Sequence, residues 1–233
     1  MSKTYLIVTT QDMPNVSSKL VLSNQDRWMI MKQIVKPIKD SWVLKSVQNT
    51  LLNDFETGRR NYTIFQVGKA TLLRVSDVLR LKKSDVFDEK GRVKRNAYII
   101  DKKTKKPNTL YLKPVERDLE DYYDWLKDWQ AKHPRQSVFY SEWLFPSFTH
   151  PDRHIEERRY YMIMHKVGEK LHLNYLGTHT MRKTGAYMVY EQTNHNIALV
   201  MKLLNHSSEQ MTLAYLGLDQ ETREHILDTI HFD

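Results

Sequence analysis

Residues 203–217, LLNHSSEQMTLAYLG, combine a histidine, a helix-start signal and a tyrosine in one short stretch. His206 stands beside a pair of serines, and Tyr215 follows nine residues later among apolar neighbours. Ser207 and Gln210 have the spacing of a capping box, which predicts that a helix carrying Tyr215 begins here. Tyrosine serves both as a core aromatic and as a nucleophile, so residues elsewhere in the chain decide its role.

The composition favours a globular protein of one large domain or two small ones. The chain has 233 residues, of which 40% are hydrophobic, enough for a packed core. No apolar run approaches the roughly 20 residues that span a bilayer, and the apolar stretch near the N-terminus is too short for a secretory signal. Cysteine is absent, which excludes disulfides and thiolate metal sites. We therefore expect a soluble protein that makes no membrane contact.

The charge indicates a polyanionic partner. Lys and Arg total 36 against 28 Asp and Glu, so the formal net charge is +8. Such an excess attracts nucleic acid, because neutralising phosphates releases their counterions. Charge alone leaves open a protein that is basic without binding nucleic acid.

The apolar spacing predicts a mainly α-helical fold (α+β) with one small antiparallel β-sheet. Two β-rich runs, NAYIID and NTLYLK, flank a lysine-rich turn and predict a hairpin. The polar stretch GRRN, residues 58–61, predicts a break between two helices. The predicted helices are 23–37, about 40–55, 62–73, Pro114 to about His133, further helices from Glu156 onward, one from His179 with Thr178 as its N-cap, the helix carrying Tyr215, and a final helix opened by Asp219.

Four separated fragments contain residues suited to chemistry on a phosphate. A planar guanidinium group matches two phosphate oxygens at once, which a lysine ammonium group does not. His179 and Arg182 are three residues apart and share one face of a predicted helix. The fragments supply Arg74 and Asp77 (LLRVSDV), Lys103 (DKKTKKP), His179, Arg182 and Lys183 (GTHTMRKTGA), and His206 and Tyr215 (LLNHSSEQMTLAYLG).

In this order and spacing, the four fragments resemble the catalytic domain of the tyrosine recombinases, the phage integrase family. The usual signatures of that family are a TGLRxSE box, a lysine in a hairpin turn, an HxLRH box and LGHSSxxTTxxY. The corresponding stretches here are ATLLRVSD, KKTKK, HTMRK and LNHSSEQMTLAY. The resemblance covers about residues 25–230 and implies the DNA breaking-rejoining fold of that catalytic domain.

The resemblance implies that Tyr215 attacks a DNA phosphodiester, forms a 3′-phosphotyrosine and releases a 5′-hydroxyl. Arg74 and Arg182 would neutralise the charge that grows on the non-bridging oxygens. A free tyrosine has a pKa near ~10, so it needs a proton acceptor, and the resemblance gives that role to His179.

The remaining roles also follow from the resemblance. Lys103, in the hairpin turn, would protonate the leaving oxygen as general acid. His206 would hydrogen-bond the scissile phosphate, and Asp77 would orient an active-site partner, with Lys183 in support. If the register of the hairpin differs from the one expected, a neighbouring lysine would be the general acid in place of Lys103. The alternatives are Lys102, Lys105 and Lys106.

The implied chemistry requires neither a metal nor a cofactor. Arginines take the part that Mg²⁺ plays in two-metal nucleases, and the phosphotyrosine conserves the energy of the broken bond. The sequence contains no carboxylate cluster of the two-metal kind and no GxxxxGK[ST] stretch. His150 and His154 are four apart, but Pro151 disfavours a helix there and no third metal ligand is apparent.

The chain departs from the family pattern in three places. Leu72 and Asn205 stand where the family has glycine. Asparagine accepts left-handed backbone angles, whereas leucine adopts them only at a cost. At the front, only a short segment precedes the catalytic boxes. We therefore predict an N-terminal arm over 1–22 and a catalytic domain over 23–233, without a full-length N-terminal core-binding domain.

These expectations describe a site-specific DNA recombinase of the integrase, excisionase or resolvase type, acting on double-stranded DNA. By resemblance it works as a homo-oligomer, a tetramer on DNA, with accessory DNA-bending proteins as further partners, in the cytoplasm of a prokaryote or encoded by a phage. Two rivals stay open: a type IB topoisomerase-like nicking-closing enzyme and a non-catalytic DNA-binding regulator. Whether Tyr215 acts within its own protomer also stays open.

Overall fold

Most of the described chain is helical. The structure is a computed structural model, and it describes residues 35–218 together with 227, 228 and 230. Short 3₁₀ turns flank the longest helix, at Lys113–Val115 and Pro134–Gln136. The α-helices are α1 Ser41–Asn53, α2 Gly58–Thr71, α3 Val75–Leu79, α4 Lys83–Val86, α5 Glu116–Lys132, α6 Glu157–Leu171, α7 Thr180–Gln192, α8 Ile197–Leu204 and α9 Glu209–Leu216.

One antiparallel hairpin accompanies the helices. Strand β1, Asn96–Ile100, pairs with strand β2, Pro107–Tyr111. The directly opposed residues Ala97 and Leu110 are buried, which fixes the face of the hairpin that meets the core. The lysine-rich turn, residues 101–106, lies at the end of this hairpin. The predicted mainly α-helical fold with one small antiparallel sheet is confirmed.

The predicted break at residues 58–61 is wrong, because α2 begins at Gly58. Arg60, in this polar stretch, is buried rather than solvated. Its guanidinium donates to the Pro146 carbonyl oxygen at 3.2 Å and to Thr57 Oγ1 at 3.0 Å. A polar run can therefore start a helix here, because its arginine finds hydrogen-bond acceptors in the interior.

Two other predicted helix starts are displaced by one or two residues. The helix expected at His179 with Thr178 as its cap begins at Thr180, and His179 itself occupies the capping position. The helix expected at Pro114 begins at Glu116, because Pro114 lies in the preceding 3₁₀ turn. The two helices themselves are confirmed.

The helix carrying Tyr215 is capped by Ser208, and the predicted cap at Ser207 is wrong. Ser208 Oγ accepts a hydrogen bond from the Met211 N–H at 3.2 Å, which satisfies one of the free amides at the start of α9. The two serines are adjacent, so the capping pattern does not distinguish them.

A glycine lets α2 and α7 cross closely. A Cβ on Gly185 of α7 would lie 2.0 Å from the Lys69 carbonyl oxygen of α2, closer than any real contact. The crossing brings the segment that follows α2 next to the first turn of α7. Those two segments carry the two candidate arginines.

The buried apolar residues form two separate clusters. The large core draws on α1, α2, α5, α6 and both strands. It includes Tyr122, whose hydroxyl donates to the Leu144 carbonyl oxygen at 2.9 Å. The second, called the C-terminal cluster, consists of five buried residues: Leu72, Ala186, Val200, Leu204 and Leu216.

Three predictions fall wholly or largely outside the described residues: the arm over 1–22, the helix over 23–37 and the final helix from Asp219. Residues 35 and 36, at the end of the second of these, are irregular. Among the described residues, no helix is both long enough and apolar enough to cross a bilayer.

Candidate active site

Arg74 follows α2 through a left-handed turn. Leu72, the C-cap residue of α2, has φ 56° and ψ 24°. Its side chain is buried in the C-terminal cluster, while that of Leu73 is buried in the large core. Arg74 then takes the N-cap position of α3. Leu72 thus adopts a left-handed backbone angle at the position where the family has glycine, and the two buried leucines anchor the chain immediately before Arg74.

Two buried carboxylates lie where Arg74 meets the hairpin turn. Asp77, in the first turn of α3, accepts a hydrogen bond from the Lys102 N–H at 2.8 Å. Asp101 Oδ2 lies 3.6 Å from Arg74 Nη1 and accepts from the Thr104 hydroxyl at 3.2 Å. Asp101 was not among the predicted site residues. The signal available for it was a carboxylate directly after a β-strand and beside the lysine turn.

Arg182, in the first turn of α7, reaches the end of α8. Its Nη2 donates to the Leu204 carbonyl oxygen at 3.0 Å and so caps the C-terminal end of that helix. Its Nε is buried with no hydrogen-bond partner among the described residues. Burial lowers the pKa of Arg182, and the positive charge of Arg74 lowers it further. A Tyr215 phenolate acts in the opposite direction.

Tyr215 packs against the C-terminal cluster, and its ring lies close to two cations. Arg182 Cζ lies 5.8 Å and Lys183 Nζ 4.8 Å from the centroid of the ring, both within cation–π range. The hydroxyl is buried and has no partner among the described residues. Burial raises the pKa of Tyr215, and Arg182 and Arg74 act in the opposite direction. A buried hydroxyl without a hydrogen-bond partner is rare in a folded protein.

His206 lies edge-on to Tyr215, with 5.1 Å between the ring centroids. His206 follows Asn205, the C-cap residue of α8. Asn205 has a left-handed φ of 58°, which asparagine adopts with little strain. Thr212 Oγ1 donates to the Ser208 carbonyl oxygen at 3.1 Å, so it accepts from His206 Nδ1, also at 3.1 Å. This assigns the Nδ1–H tautomer to the neutral ring and leaves Nε2 available. Burial lowers the pKa of His206, and the two nearby arginines lower it further.

His179 precedes α7, and solvent reaches its ring. The surrounding protein nevertheless lowers the pKa of His179 below its usual 6.5, chiefly by burial. The positive charges of Arg182, Lys183 and Arg74 lower it further, and Glu157 opposes them. His179 is therefore neutral near pH 7 and able to accept a proton.

Among the described residues, Lys103 is the predicted site residue for which no side-chain contact with the others is found. It lies in the exposed turn, and no ion pair or hydrogen bond to its ammonium group is found among the described residues. Lys102, in contrast, has its backbone bound to Asp77 and its Nζ 3.5 Å from Glu157 Oε1. The structure brings the other seven predicted residues together: Arg74, Asp77, His179, Arg182, Lys183, His206 and Tyr215.

The site opens on a small cavity. Arg74, Asp77, Asp101 and Arg182 line about 230 Å³ of space, whereas a larger cavity of about 690 Å³, around Lys83, contains none of the predicted site residues. Within the part of the chain that the structure describes, no three His, Asp or Glu side chains come together as metal ligands.

The contacts divide the site into two halves, each with its own support. The arginine half lies where α2, α3, α7 and the hairpin meet. The nucleophile half, which we name for the role predicted for Tyr215, lies just after α8 and on α9, against the C-terminal cluster. The arginine half consists of Arg74, Asp77, Asp101 and Arg182, and the nucleophile half of His206, Thr212 and Tyr215.

Comparison with solved structures shows that this is a recombinase catalytic fold. The chain is similar to the XerH site-specific recombinase bound to palindromic difH substrate in a post-cleavage complex, with a TM-score of 0.58 and 20% identity over 84% of this chain and 53% of that one. It is also similar to the XerA recombinase (TM-score 0.56, 19% identity, 86% and 66% covered) and to a lambda integrase dimer bound to a COC′ core site (TM-score 0.56, 17% identity, 86% and 52% covered). The chain thus spans about half to two thirds of the length of these proteins.

Sequence comparison gives the family. The model of the phage integrase family matches residues 41–222. A curated protein of Bacillus subtilis (strain 168), the probable integrase/recombinase YoeC, is 31% identical over 189 residues, which cover 81% of this chain and 93% of that protein. The chain therefore belongs to the phage integrase family, the tyrosine recombinases, whose members cut and rejoin DNA. The resemblance in the four sequence fragments is confirmed.

Proposed function

We propose that this chain is a site-specific DNA recombinase that works through a covalent 3′-phosphotyrosine at Tyr215. The observation that carries the proposal is the buried, unpartnered Tyr215 hydroxyl beside Arg182 and Arg74. In the reaction, a bond forms between the tyrosine oxygen and the phosphorus while the bond from phosphorus to the 5′-oxygen breaks. The second half of the reaction reverses these steps with a new 5′-hydroxyl, so no bond energy has to be supplied.

The two arginines would stabilise the charge that develops on the phosphate. Arg182 donates with one nitrogen to the end of α8, and its buried Nε has no partner, so donors remain for a phosphate oxygen. Arg74 touches Asp101 through one nitrogen at 3.6 Å, which leaves the rest of its fork for the phosphate. Burial strengthens both interactions because water no longer competes.

Proton transfer completes the chemistry. His179 is neutral near pH 7 and would accept the Tyr215 proton, which burial otherwise holds on the phenol. Lys103 would protonate the leaving 5′-oxygen. Its ammonium group is unengaged among the described residues, whereas Lys102 is held by Glu157, and this favours Lys103 over its neighbour.

We further infer that Tyr215 acts within its own protomer. Its ring is 5.1 Å from that of His206 and 5.8 Å from the Arg182 guanidinium of the same chain. No exchange between protomers is needed to bring nucleophile and arginines together.

The partners of the reaction follow from the family. The DNA-bound complexes of the XerH recombinase and lambda integrase support double-stranded DNA as the substrate. We expect the catalytic domain over 23–233 to act as a tetramer on two duplexes, in the cytoplasm of the cell that holds the DNA. Accessory DNA-bending proteins are further expected partners.

The test is to trap the covalent intermediate. The protein would be incubated with supercoiled DNA that carries the region around its own gene, then denatured and examined for protein-linked DNA. Tyr215→Phe removes the nucleophile, and Tyr190→Phe is the matched control, because Tyr190 also packs against the C-terminal cluster. We expect an adduct with the native protein and with Tyr190→Phe, and none with Tyr215→Phe.

Other outcomes separate the rival functions. Salt-sensitive DNA binding without any adduct would contradict the proposal and favour a DNA-binding regulator. An adduct accompanied by relaxation of DNA without regard to sequence would instead favour a nicking-closing enzyme of the topoisomerase type.

A further inference from the structure

Asp101 is the buried residue at which the lysine turn meets Arg74. Its side chain is 6% exposed. Oδ2 lies 3.6 Å from Arg74 Nη1 and accepts from the Thr104 hydroxyl at 3.2 Å, and Oδ1 accepts from Asn108 Nδ2 at 3.1 Å. One carboxylate therefore binds both sides of the hairpin turn and, at the same time, the arginine that follows α2.

The backbone of Asp101 also closes the turn. Its N–H donates to the Lys106 carbonyl oxygen at 3.0 Å, and its carbonyl oxygen accepts from the Lys105 N–H at 2.9 Å. Lys105 takes a left-handed φ of 57° so that the chain can return to β2. Lys103 lies within this closed turn, so its position depends on Asp101.

The charge of Asp101 is not explained by affinity for DNA. A carboxylate beside the phosphate-binding arginines weakens the attraction for a phosphate. It does, however, offset the repulsion between Arg74 and Arg182 when no phosphate is bound, and Asp101 is among the groups that raise the pKa of Arg182. Of the charged side chains that the structure describes as buried, only Asp77 and Asp101 are acidic, and both lie in the arginine half.

We propose that Asp101 is a positioning residue that couples the placement of the Lys103 turn to the orientation of Arg74. This inference rests on the proposed function, in which Lys103 is the general acid and Arg74 binds the phosphate. Its consequence is that the loss of the Asp101 charge separates DNA binding from DNA cleavage.

Two variants divide the contacts of Asp101. Asp101→Asn keeps the size of the side chain but removes the charge that faces Arg74. Thr104→Val keeps the shape of the turn but removes the hydroxyl that donates to Asp101. Asp88→Asn is the matched control, because Asp88 also closes a turn and pairs with an arginine, Arg92 at 2.8 Å, beside a different cavity.

The measurements are DNA affinity and the single-turnover cleavage rate at saturating protein, on a duplex that carries the mapped cleavage site. We expect Asp101→Asn to bind DNA at least as tightly as the native protein but to cleave about 10- to 100-fold more slowly, because misplaced catalytic groups cost factors of this size. We expect Thr104→Val to cleave several-fold more slowly and Asp88→Asn to match the native protein.

A substrate with sulfur in place of the bridging 5′-oxygen separates the two contacts. A thiol has a pKa near ~8.5, so it leaves without a general acid. We expect this substrate to restore the rate of Thr104→Val, whose defect lies in the lysine turn, and to restore that of Asp101→Asn only in part. The proposal would be overturned if Asp101→Asn cleaved DNA at the native rate. It would also be overturned if this variant lost DNA affinity in parallel with its cleavage rate.

A second measurement needs no DNA. Amide hydrogen exchange of residues 102–106 should be faster in Asp101→Asn and Thr104→Val than in the native protein, and unchanged in Asp88→Asn. Equal exchange in all four proteins would also overturn the proposal. If the native protein forms no adduct while the variants show faster exchange, then Asp101 holds the turn and it is the proposed function that fails.

Discussion

The arginine half and the nucleophile half of the site stand on cores of very different size. The arginine half lies where two helices, a short third helix and the hairpin meet, and these elements pack into the large core. The nucleophile half rests on the five residues of the C-terminal cluster. A small cluster gives a segment less resistance to local opening than a large core does. The segments that carry the two arginines thus rest on the large core, whereas the segment that carries Tyr215 rests on the small cluster, and we expect the latter to open more easily.

Two residues join the halves. Arg182 extends from α7 to the last carbonyl group of α8, at 3.0 Å. Leu72 ends α2 and is itself a member of the C-terminal cluster. Both residues belong to the segments that carry the arginines. A change in the α2–α7 crossing should therefore affect the whole site. A change in the C-terminal cluster should affect Tyr215 more than the arginines.

The largest expected effect comes from the α2–α7 crossing. Gly185→Ala places a Cβ 2.0 Å from the Lys69 carbonyl oxygen, so the helices have to separate. We expect a loss of about 3 kcal/mol of unfolding free energy in urea, the upper range for overpacking. The adduct should form about 100-fold more slowly, because Arg74 and Arg182 shift relative to each other.

Gly217→Ala is the control in the nucleophile half. Nothing lies within 4 Å of its Cβ position, and only the φ of +67° disfavours alanine. We expect Gly217→Ala to lose about 1 kcal/mol of unfolding free energy. If Gly185→Ala proved no more harmful than Gly217→Ala, the arginine half would not depend on this crossing.

A smaller effect is expected from pH. Burial and neighbouring cations lower the pKa of His179 below 6.5, so the ring is neutral and can accept a proton at pH 7. At subsaturating protein, where the rate reports the free enzyme, adduct formation should fall about tenfold per pH unit once the pH drops below the lowered pKa. A midpoint above pH 6.5 would contradict this assignment.

The lowered pKa values of His179 and His206 also affect stability, which should fall at low pH as the rate does. The unfolded chain binds protons near pH 6.5, whereas folded His179 and His206 bind them only at lower pH. The unfolding free energy should therefore fall as the pH drops below 6.5. Replacing both histidines by glutamine should flatten that dependence in urea unfolding curves.

The smallest effect is expected at the left-handed residue Leu72. Leu72→Gly relieves a backbone cost of about 1–2 kcal/mol but removes a side chain whose burial contributes about 2–5 kcal/mol. A net loss of about 2 kcal/mol of unfolding free energy is expected, within a range of about 0–4 kcal/mol. Asn205→Gly should stay within about 0.5 kcal/mol, because asparagine adopts the same angle with little strain and its side chain is exposed. A gain in stability for Leu72→Gly would mean that strain outweighs burial.

The sequence predicted the helices with regular apolar spacing and the residues that belong to short motifs. The apolar stripe of α5 repeats over many residues, and local spacing is enough to recognise it. Arg74, Arg182 and Tyr215 were predicted to share a site because the order of the four fragments resembles one family. The structure brings these three side chains together.

What the sequence did not predict depends on contacts between distant residues. Arg60 is buried because Pro146, far along the chain, supplies an acceptor. Asp101 becomes part of the site only through Arg74 and Thr104, and a single carboxylate after a strand has no pattern of its own. The helix that carries Tyr215 is capped by Ser208 and not by Ser207. Local propensity does not locate a helix start to within one residue.

The central claim is that one chain supplies both halves of a single site, and a mixing experiment tests it most directly. Tyr215→Phe keeps the arginines, and Arg182→Ala keeps the nucleophile, so each variant alone should form no adduct. Differently tagged variants would be mixed on DNA, with native protein mixed with Tyr215→Phe as the control for joint assembly. We predict an adduct in the control and none in the mixture of variants. An adduct on the Arg182→Ala protein would show that the tyrosine attacks in a neighbour's site, and would contradict the account.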